Sequence, residues 1–292
     1  CTPFQNDWGT APGCGFECDG VRVVMLPGPP SECGPMFRER ALPYLSDLAD
    51  GVIHSRSLRL FGKGESAVEA LLRDKMNAMH NPTLAPYAKE GEVELRLTAK
   101  ADTLARAQAL IAPEEAALRE KLGELVYGAD EDSLEGVCLA LLKERGLTLA
   151  AAESCTGGLI AQRITALPGA SAVFKGGVVS YWSEVKAGVL GVPREMLEEQ
   201  GAVSEPVARA MAQGVRELLG TDLAVSVTGV AGPDRDERDN PVGLVYIGLA
   251  WEGGSHVRKI CNPGPRERIR RLAANHAFDL VRRQVLGLGL EL

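Results

Sequence analysis

Hydroxyl, thiol and glycine residues are concentrated in the segment Glu153-Ser-Cys-Thr-Gly-Gly158, which follows the small, mostly apolar run 147–152. This run predicts a buried strand, and the apolar spacing over 159–164 predicts a helix, so the polar segment is predicted to be a strand-to-helix turn. Backbone N–H groups and the hydroxyls of Ser154 and Thr156 would meet at a helix N-terminus, where they could bind an anion or stabilise an oxyanion. A simple helix cap is the alternative.

A second glycine-rich stretch, Thr228-Gly-Val-Ala-Gly-Pro233, follows the apolar run Leu223-Ala-Val-Ser-Val227. The run predicts a strand, so this stretch is also placed at the carboxyl end of a strand, where open α/β sheets bind ligands. Arg266 and Arg270 lie on the first turns of the predicted final helix and could make bidentate contacts with a phosphate. A solvated basic helix start is the alternative.

A formal net charge of −7 and a pI of about 5.3 characterise this chain of 292 residues. Both values disfavour a broad nucleic-acid or membrane surface, because phosphate-rich partners select clustered Lys and Arg. Small molecules are the expected partners. No apolar run has the length of a membrane span, and the first residues lack a signal-peptide pattern. A cytoplasmic location is therefore expected, and the chain is interpreted as a fragment.

Seven cysteines are scattered through apolar and loop segments, which predicts free, mostly buried thiols rather than a disulfide framework. Cys14 and Cys18 have no second Cys or His pair at zinc spacing, and none of the histidines lies in a metal motif. No metal site is predicted. The segment Gly62-Lys-Gly-Glu-Ser66 could cradle a phosphate, but it lacks P-loop spacing and is predicted to cap the following helix.

The order of the apolar patterns predicts an α/β protein: a layered α/β C-terminal domain, a small α+β middle domain and the tail of an N-terminal α/β domain. The predicted boundaries are 1–50, 51–130 and 131–292, and the last one falls at the acidic, capping-rich stretch around Asp130. In the first part, strand 21–26 has no predicted partner before it, as expected for the end of a larger domain.

Helical and strand patterns define the remaining elements. The middle domain is predicted to contain strands 53–61, 83–88 and 92–99 and helices 64–80 and 101–122. The C-terminal domain is predicted to contain strands 147–153, 177–182, 223–229, 242–251 and 255–261 and helices 133–145, 158–166, 183–189, 204–219 and 265–286.

Seven motifs in the C-terminal part together resemble the C-terminal domain of the CinA family. They are Ala152-Glu-Ser-Cys-Thr-Gly-Gly158, Pro168-Gly-Ala-Ser171, Gly176-Gly-Val-Val-Ser-Tyr181 with Lys186, Leu190-Gly-Val192, Gly201-Ala-Val-Ser204, Thr228-Gly-Val-Ala-Gly-Pro233 and Pro241-Val-Gly243. The stretches Asn6-Asp-Trp-Gly-Thr-Ala-Pro-Gly13 and Leu26-Pro-Gly-Pro-Pro-Ser-Glu32 resemble the end of the family's N-terminal domain, which is similar to molybdopterin-binding folds.

The resemblance implies hydrolysis of nicotinamide mononucleotide to nicotinic acid mononucleotide and ammonia, by a Ser–Lys mechanism without a metal. Mapped by motif, Ser171 is expected to be the nucleophile, Lys186 the base and Tyr181 a supporting hydroxyl. Ser154 is expected to assist by hydrogen bonding or at the oxyanion site. Substrate contacts are expected from the glycine-rich turns and the final helix: Thr156, Gly157, Gly158, Thr228, Gly229, Gly232, Arg266 and Arg270. A homodimer is also expected.

A lysine can act as the base of a Ser–Lys pair only when its amine is neutral. The pKa of Lys186 must therefore fall below its reference value, through burial or through a nearby positive charge such as Arg266 or Arg270. Cys155 is a rival nucleophile, because a predicted helix N-terminus would lower the pKa of its thiol, although the sequence fixes no histidine partner. The second rival is Ser183 in Ser-x-x-Lys spacing with Lys186, but the motifs that accompany this spacing in penicillin-recognising enzymes are absent.

Two departures from the family pattern affect the prediction. Ala170 replaces a second serine, and the loop 234–240 lacks the Gly-Gly that is frequent there, which puts substrate affinity in question.

Two other functions stay open. The resemblance also implies hydrolysis of ADP-ribose by the N-terminal domain with a divalent metal, and that domain is largely outside this chain. A non-catalytic, competence-related nucleotide-binding module is the third hypothesis.

Overall fold

The computed structural model describes residues 1–48 and 50–292. Its strands are β1 (Thr2–Phe4), β2 (Gly13–Cys18), β3 (Val21–Met25), β4 (Val52–Leu60), β5 (Thr83–Lys89), β6 (Glu92–Ala101), β7 (Val126–Ala129), β8 (Leu149–Glu153), β9 (Phe174–Val179), β10 (Leu223–Gly229), β11 (Leu244–Trp251) and β12 (Gly254–Cys261). Its α-helices are α1 (Pro30–Met36), α2 (Leu42–Leu45), α3 (Glu65–Ala78), α4 (Leu104–Leu122), α5 (Leu134–Arg145), α6 (Leu159–Thr165), α7 (Ser183–Leu190), α8 (Arg194–Gln200), α9 (Glu205–Leu219) and α10 (Arg266–Leu286).

One compact unit comprises Cys1–Ser55 and Thr98–Glu114. In it, β1, β2 and β3 form an antiparallel sheet in that order, and Phe4 lies in a small core with Met36. Strand β3 thus pairs with a strand that precedes it in the chain, so the expectation of an unpartnered strand is wrong. The two glycines of β2 weaken the apolar alternation by which a strand is recognised, because glycine has no side chain to pack.

The other compact unit comprises Arg56–Leu97 and Glu115–Leu292, so most of the predicted middle domain groups with the C-terminal part. The three predicted domain boundaries therefore stay a prediction. Strands β5, β6, β4 and β7 form a sheet in that order. Strand β7, which was not among the predicted strands, pairs antiparallel with β4 and is only four residues long. A pattern this short does not distinguish a strand from a connection.

Strands β12, β11, β10, β8 and β9 form a sheet in that order, which is called the C-terminal sheet here. The strands β10, β8 and β9 are parallel to one another. Strand β11 is antiparallel to β10, and β12 is antiparallel to β11. Glu153 ends β8 and lies opposite Val227 of β10 and Val179 of β9. Ser154 and Ser180, which follow β8 and β9, therefore lie side by side at the carboxyl edge of the sheet.

Helices cover both faces of the C-terminal sheet, as the predicted layered α/β class requires. Alternate residues of β8 belong to different cores: Leu149 and Ala151 pack with α5, α6 and α10, whereas Ala150 and Ala152 pack with α7 and α9. This alternation follows from the two-residue period of a strand buried on both faces. No helix in the described ranges combines the length and hydropathy that a membrane span needs.

The connections after β8 and β9 lie on opposite faces of the C-terminal sheet. The chain leaves β8 for α6, which packs in the core on one face, and leaves β9 for α7, which packs in the core on the other. Open α/β sheets bind ligands in a crevice outside the carboxyl ends of their strands, at the point where the strand order reverses, and here the order reverses at β8. The fold therefore places a candidate site at this edge, between Ser154 and the start of α7.

Candidate functional site

Lys186 and Ser154 are joined by a hydrogen bond in this crevice. The ammonium Nζ of Lys186 lies 3.1 Å from Ser154 Oγ and 2.7 Å from the carbonyl oxygen of Ser180. Lys186 is only 1% exposed, although it belongs to the short helix α7, because its side chain extends between the helix and the sheet edge. The register of β8 and β9 thus brings a nucleophile candidate and a base candidate into direct contact.

Burial lowers the pKa of Lys186 to about 8, well below the value of 10.5 for a free lysine. The charged ammonium has lost most of its hydration, and a serine hydroxyl and a carbonyl oxygen replace it only in part. Within the described part of the chain, no carboxylate forms an ion pair with Lys186. Desolvation is the cause of the decrease, and the expected contribution of Arg266 or Arg270 to the pKa of Lys186 is not found.

The buried carboxylate of Glu153 organises the turn after β8. Its Oε2 accepts hydrogen bonds from the backbone N–H groups of Gly158 and Ile160, both at 3.0 Å, and its Oε1 accepts one from Ala161 at 2.9 Å. A helix N-terminus carries unpaired N–H groups and a positive potential, which a carboxylate matches. No role for Glu153 is predicted from the sequence. An acidic residue at the end of an apolar strand was the available signal.

Cys155 is almost completely buried, and burial raises the pKa of its thiol to about 12. The prediction that the helix N-terminus lowers this pKa is wrong. The carboxylate of Glu153 already neutralises the N–H groups of that helix, and desolvation outweighs the nearby charge of Lys186. Ser183, the second rival, is an exposed residue at the start of α7, and the hydrogen bonds of Lys186 go to Ser154 and Ser180 instead.

Ser171 lies at the opposite edge of the C-terminal sheet. It belongs to a single 3₁₀ turn, Ala170–Ala172, that precedes β9, and it is exposed. The strand β9 then runs six residues, or about 20 Å, to the carboxyl edge where Lys186 is buried. The structure therefore does not bring Ser171 to Lys186 within one chain. The predicted pairing is corrected to Ser154–Lys186, and any catalytic role of Ser171 stays a prediction.

Tyr181, Arg266 and Gly232 meet beside the crevice. Arg266 donates one hydrogen bond to the Tyr181 hydroxyl at 2.8 Å and another to the carbonyl oxygen of Gly232 at 2.7 Å. The tyrosine is half exposed, so its hydroxyl lies at the surface of the site rather than in its interior. The start of α10, the residue after Ser180 and the second glycine-rich loop therefore form one side of the site.

Arg270 fixes the first glycine-rich turn from the same helix. Its Nη2 donates to the carbonyl oxygen of Thr156 at 2.6 Å. The Oγ1 of Thr156 is buried and has no partner in the described ranges. Gly157 and Gly158 have φ values of 58° and 95°, a region that is costly for residues with a Cβ, so the turn depends on glycine at both positions.

Two of the predicted substrate contacts, Thr228 and Gly229, pack against other parts of the protein instead of lining the site. The hydroxyl of Thr228 donates to the carbonyl oxygen of Ala202 at 2.6 Å and is buried. Gly229 is paired within the sheet, and a Cβ there would lie 2.7 Å from the carbonyl oxygen of Leu244. These two residues are therefore corrected from substrate contacts to residues that position the loop 230–233.

The altered loop 234–240 has its own internal hydrogen bonds. Both carboxylate oxygens of Asp236 accept from Asn240, at 2.9 Å from its backbone nitrogen and 2.8 Å from its amide. Arg238 donates to the carbonyl oxygens of Glu198 and Glu199 at the end of α8. The charged residues in place of the glycines thus anchor this loop to a neighbouring helix.

Fold and geometry together define an α/β protein with a buried Ser–Lys pair at the carboxyl edge of its sheet. Family models match two parts of the chain: residues 131–285 match the CinA C-terminal domain, and residues 55–128 match the damage-inducible protein CinA KH domain. A CinA-like protein of Kosmotoga olearia is 48% identical over 98% of this chain and 69% of its own length. A CinA-like protein of Dictyoglomus thermophilum is 47% identical over the same shares.

Solved structures match about half of the chain. A CinA superfamily protein of Klebsiella pneumoniae is 30% identical with a TM-score of 0.51, covering 53% of this chain and 99% of that chain. One from Escherichia coli is 31% identical with a TM-score of 0.50, covering 56% of this chain and 98% of that chain. The chain belongs to the CinA family of competence- and damage-inducible proteins.

Proposed function

We propose that this protein hydrolyses the carboxamide of nicotinamide mononucleotide to nicotinic acid mononucleotide and ammonia, with Ser154 as nucleophile and Lys186 as base. The observation that carries the proposal is the 3.1 Å contact between Lys186 Nζ and Ser154 Oγ in the crevice of the sheet. A serine hydroxyl becomes an effective nucleophile when an adjacent base removes its proton, and a neutral lysine can do so. The nucleotide substrate is inferred from the family resemblance.

In the first half of the reaction, Oγ of Ser154 attacks the carboxamide carbon while neutral Lys186 takes the hydroxyl proton. The carbonyl electron pair moves onto oxygen and forms a tetrahedral oxyanion. When this intermediate collapses, the C–N bond breaks, and the leaving nitrogen takes the proton from the Lys186 ammonium. Ammonia departs, and the nicotinoyl group stays bound to Ser154 as an ester.

Water completes the reaction by the same route. Lys186, neutral again, takes a proton from a water molecule as its oxygen attacks the ester carbon. Collapse of the second intermediate breaks the bond to Ser154 Oγ, which regains the proton from Lys186. The net change is one amide and one water converted to one acid and one ammonia, and the Ser–Lys pair returns to its initial state.

The surroundings of the pair suit this chemistry. The backbone N–H groups of Cys155 and Thr156 directly follow the nucleophile, the position from which oxyanion donors act in other serine hydrolases. Arg270 contacts the carbonyl oxygen of Thr156 in this turn and Arg266 contacts the Tyr181 hydroxyl, and guanidinium groups bind phosphates bidentately. The carboxamide would lie at Ser154 and the phosphate toward these arginines.

Ammonia release from nicotinamide mononucleotide by the purified chain tests the proposal. Ser154→Ala and Lys186→Ala should each lower kcat by at least about a thousandfold, because each removes half of the pair. Ser171→Ala and Cys155→Ala should keep kcat within about threefold. Loss of activity in Ser171→Ala with retention in Ser154→Ala would return the nucleophile to Ser171.

Two further outcomes address the other functions. A folded wild-type chain that binds the nucleotide but releases no ammonia would contradict the proposal and favour a binding module. Activity that disappears with a chelator and returns with a divalent cation would contradict a metal-free Ser–Lys mechanism. The proposed reaction should continue unchanged in the chelator.

A further inference from the structure

A cavity of about 610 Å³ lies between α6 and the first turns of α10, within the size range of small-molecule sites. Arg266 and Arg270 line it, and the same two side chains contact Tyr181 and Thr156 beside the Ser–Lys pair. These two arginines therefore connect the cavity to the proposed reaction centre, whose own residues do not line it. The cavity is called the nucleotide pocket here.

Some of the arginines that line the nucleotide pocket form ion pairs and others do not. Arg163 forms one, since it donates to Glu135, and it also donates to Asn275, at 2.6 Å each. Arg266 and Arg270 are different, because their described hydrogen bonds go to neutral carbonyl and hydroxyl oxygens, and no carboxylate in residues 1–48 or 50–292 forms an ion pair with them. Two guanidinium groups one helical turn apart and without an ion-pair partner could bind an anion, although the carboxylate of Glu267 also lines the pocket.

Glu90 and Glu92, which flank Gly91 where β5 turns into β6, form one wall of the pocket, and they belong to the segment matching the CinA KH domain. Glu90 of this turn forms an ion pair with Arg271 of α10 at 2.8 Å. Gly91 packs so closely that a Cβ there would lie 2.4 Å from Leu272 Cδ2, and its φ of 82° favours glycine. Glu92 completes the wall with a carboxylate that hydrogen-bonds the Tyr127 hydroxyl.

We propose that this turn sets the length of the nucleotide that the site accepts, by admitting a pyridine mononucleotide and excluding a dinucleotide. The inference rests on the proposed function. A single phosphate at Arg266 and Arg270 ends before the wall. In a dinucleotide, a second phosphate and nucleoside would extend beyond the first, toward the carboxylates of Glu90 and Glu92. Those negative charges and the closely packed turn would oppose the extension.

The wall formed by Glu90 and Glu92 lies outside the residues that match the C-terminal family model, 131–285, and within those that match the CinA KH domain, 55–128. The proposed selection of nucleotide length therefore depends on a segment outside the C-terminal domain.

Calorimetric dissociation constants for nicotinamide mononucleotide and for the dinucleotide NAD test the inference, together with kcat/KM for each. The wild type should prefer the mononucleotide. Glu90→Gln should shift the ratio of the two Kd values toward the dinucleotide by about tenfold, as expected for loss of one unit charge about 8 Å away at an effective dielectric constant of about 30. Gly91→Ala should shift it the same way by displacing the turn.

Arg271→Gln is the matched control, because it breaks the same ion pair from the other side and leaves the carboxylate of Glu90 in place. The Kd ratio should then stay at the wild-type value or favour the mononucleotide further. Unchanged ratios in both Glu90→Gln and Gly91→Ala, with wild-type activity intact, would overturn the length selection alone. Binding with the expected ratios but without ammonia release would refute only the amidohydrolase, and absence of nucleotide binding would refute both.

Discussion

Lys186 shows how a single buried side chain can define the chemistry of a site. A free lysine is almost fully protonated at neutral pH and cannot accept the proton of a serine. In this protein, two neutral oxygens, Ser154 Oγ and the Ser180 carbonyl, are the hydrogen-bond acceptors of the ammonium, and burial lowers its pKa to about 8. A useful fraction of the neutral amine is therefore present near physiological pH. This is the regime that general-base catalysis favours.

This pKa predicts the pH dependence of the proposed reaction. In the proposed mechanism the neutral lysine is the active form, so kcat/KM should rise with pH through about 8 and level off above it. Two pH units below the pKa, the rate should be about a hundredfold below the plateau. Ammonia release measured from pH 6 to 10 checks this. A profile that continues to rise up to the pKa of an ordinary lysine would show that burial does not tune the base.

At the scale of elements, the turn between β8 and α6 depends on one carboxylate. Glu153 satisfies three N–H groups of the helix start and thereby holds the adjacent residue, Ser154, toward Lys186. The same contacts show why this helix start does not serve as a phosphate site. The protein's own anion already occupies it, and an incoming phosphate would have to displace a buried carboxylate.

Glu153→Gln tests this role. The amide keeps the size of the side chain but turns an N–H donor toward backbone donors, so we expect a loss of about 1–3 kcal/mol in the free energy of unfolding. Because the pair with Lys186 is then held less well, kcat should fall by about tenfold or more with little change in KM. Denaturant titration and steady-state kinetics measure both effects.

The neighbouring helix supplies the control for this substitution. Glu195→Gln, on an exposed part of α8, should change neither kcat nor the unfolding free energy measurably. If Glu153→Gln lowered stability but left kcat and its pH profile unchanged, the carboxylate would be structural only.

The sequence predicted most of the helices and strands of the C-terminal domain, because their apolar periods are long and regular. It misplaced β9, which was expected at 177–182 but begins at Phe174. The glycines at 176 and 177 interrupt the apolar alternation from which the start of a strand is predicted. The structure places Lys186 against Ser154 and Arg266 against Tyr181, and the roles expected for these residues stay predictions. Which serine meets the lysine depends on strand register, which spacing along the chain does not reveal.

At the scale of the whole molecule, α10 joins the site to the segment that matches the CinA KH domain. Its first turns carry Arg266 and Arg270, and further along it carries the completely buried Asp279. The carboxylate of Asp279 accepts from Arg258 of β12 and from Arg282 of α10, both at 2.9 Å. Arg282 also donates to the carbonyl oxygen of Glu124 at 3.0 Å, in the turn before β7. Three parts of one compact unit thus share a buried ionic cluster.

Asp279→Asn should therefore destabilise the compact unit as a whole. The asparagine removes the only carboxylate that the described residues place between Arg258 and Arg282, and it leaves two buried guanidinium groups without a counter-charge. Breaking a buried ion pair from one side typically costs about 3–5 kcal/mol, whereas an exposed pair contributes less than about 1 kcal/mol. Glu205→Gln, which breaks the exposed pair with Arg209, is the matched control and should be nearly neutral.

Urea titrations monitored in parallel by circular dichroism and by catalytic activity test this prediction and show whether the variant unfolds in one step or in two. If the cluster couples α10 to the turn before β7, Asp279→Asn should shift both transitions to lower urea together and keep a single cooperative step. The slope m should stay at the wild-type value, because the same surface is exposed on unfolding. Two separated transitions in the variant would mean that the cluster joins parts that can each fold alone. An unchanged midpoint would contradict the stabilising role of Asp279, since two buried positive charges would then be tolerated without compensation.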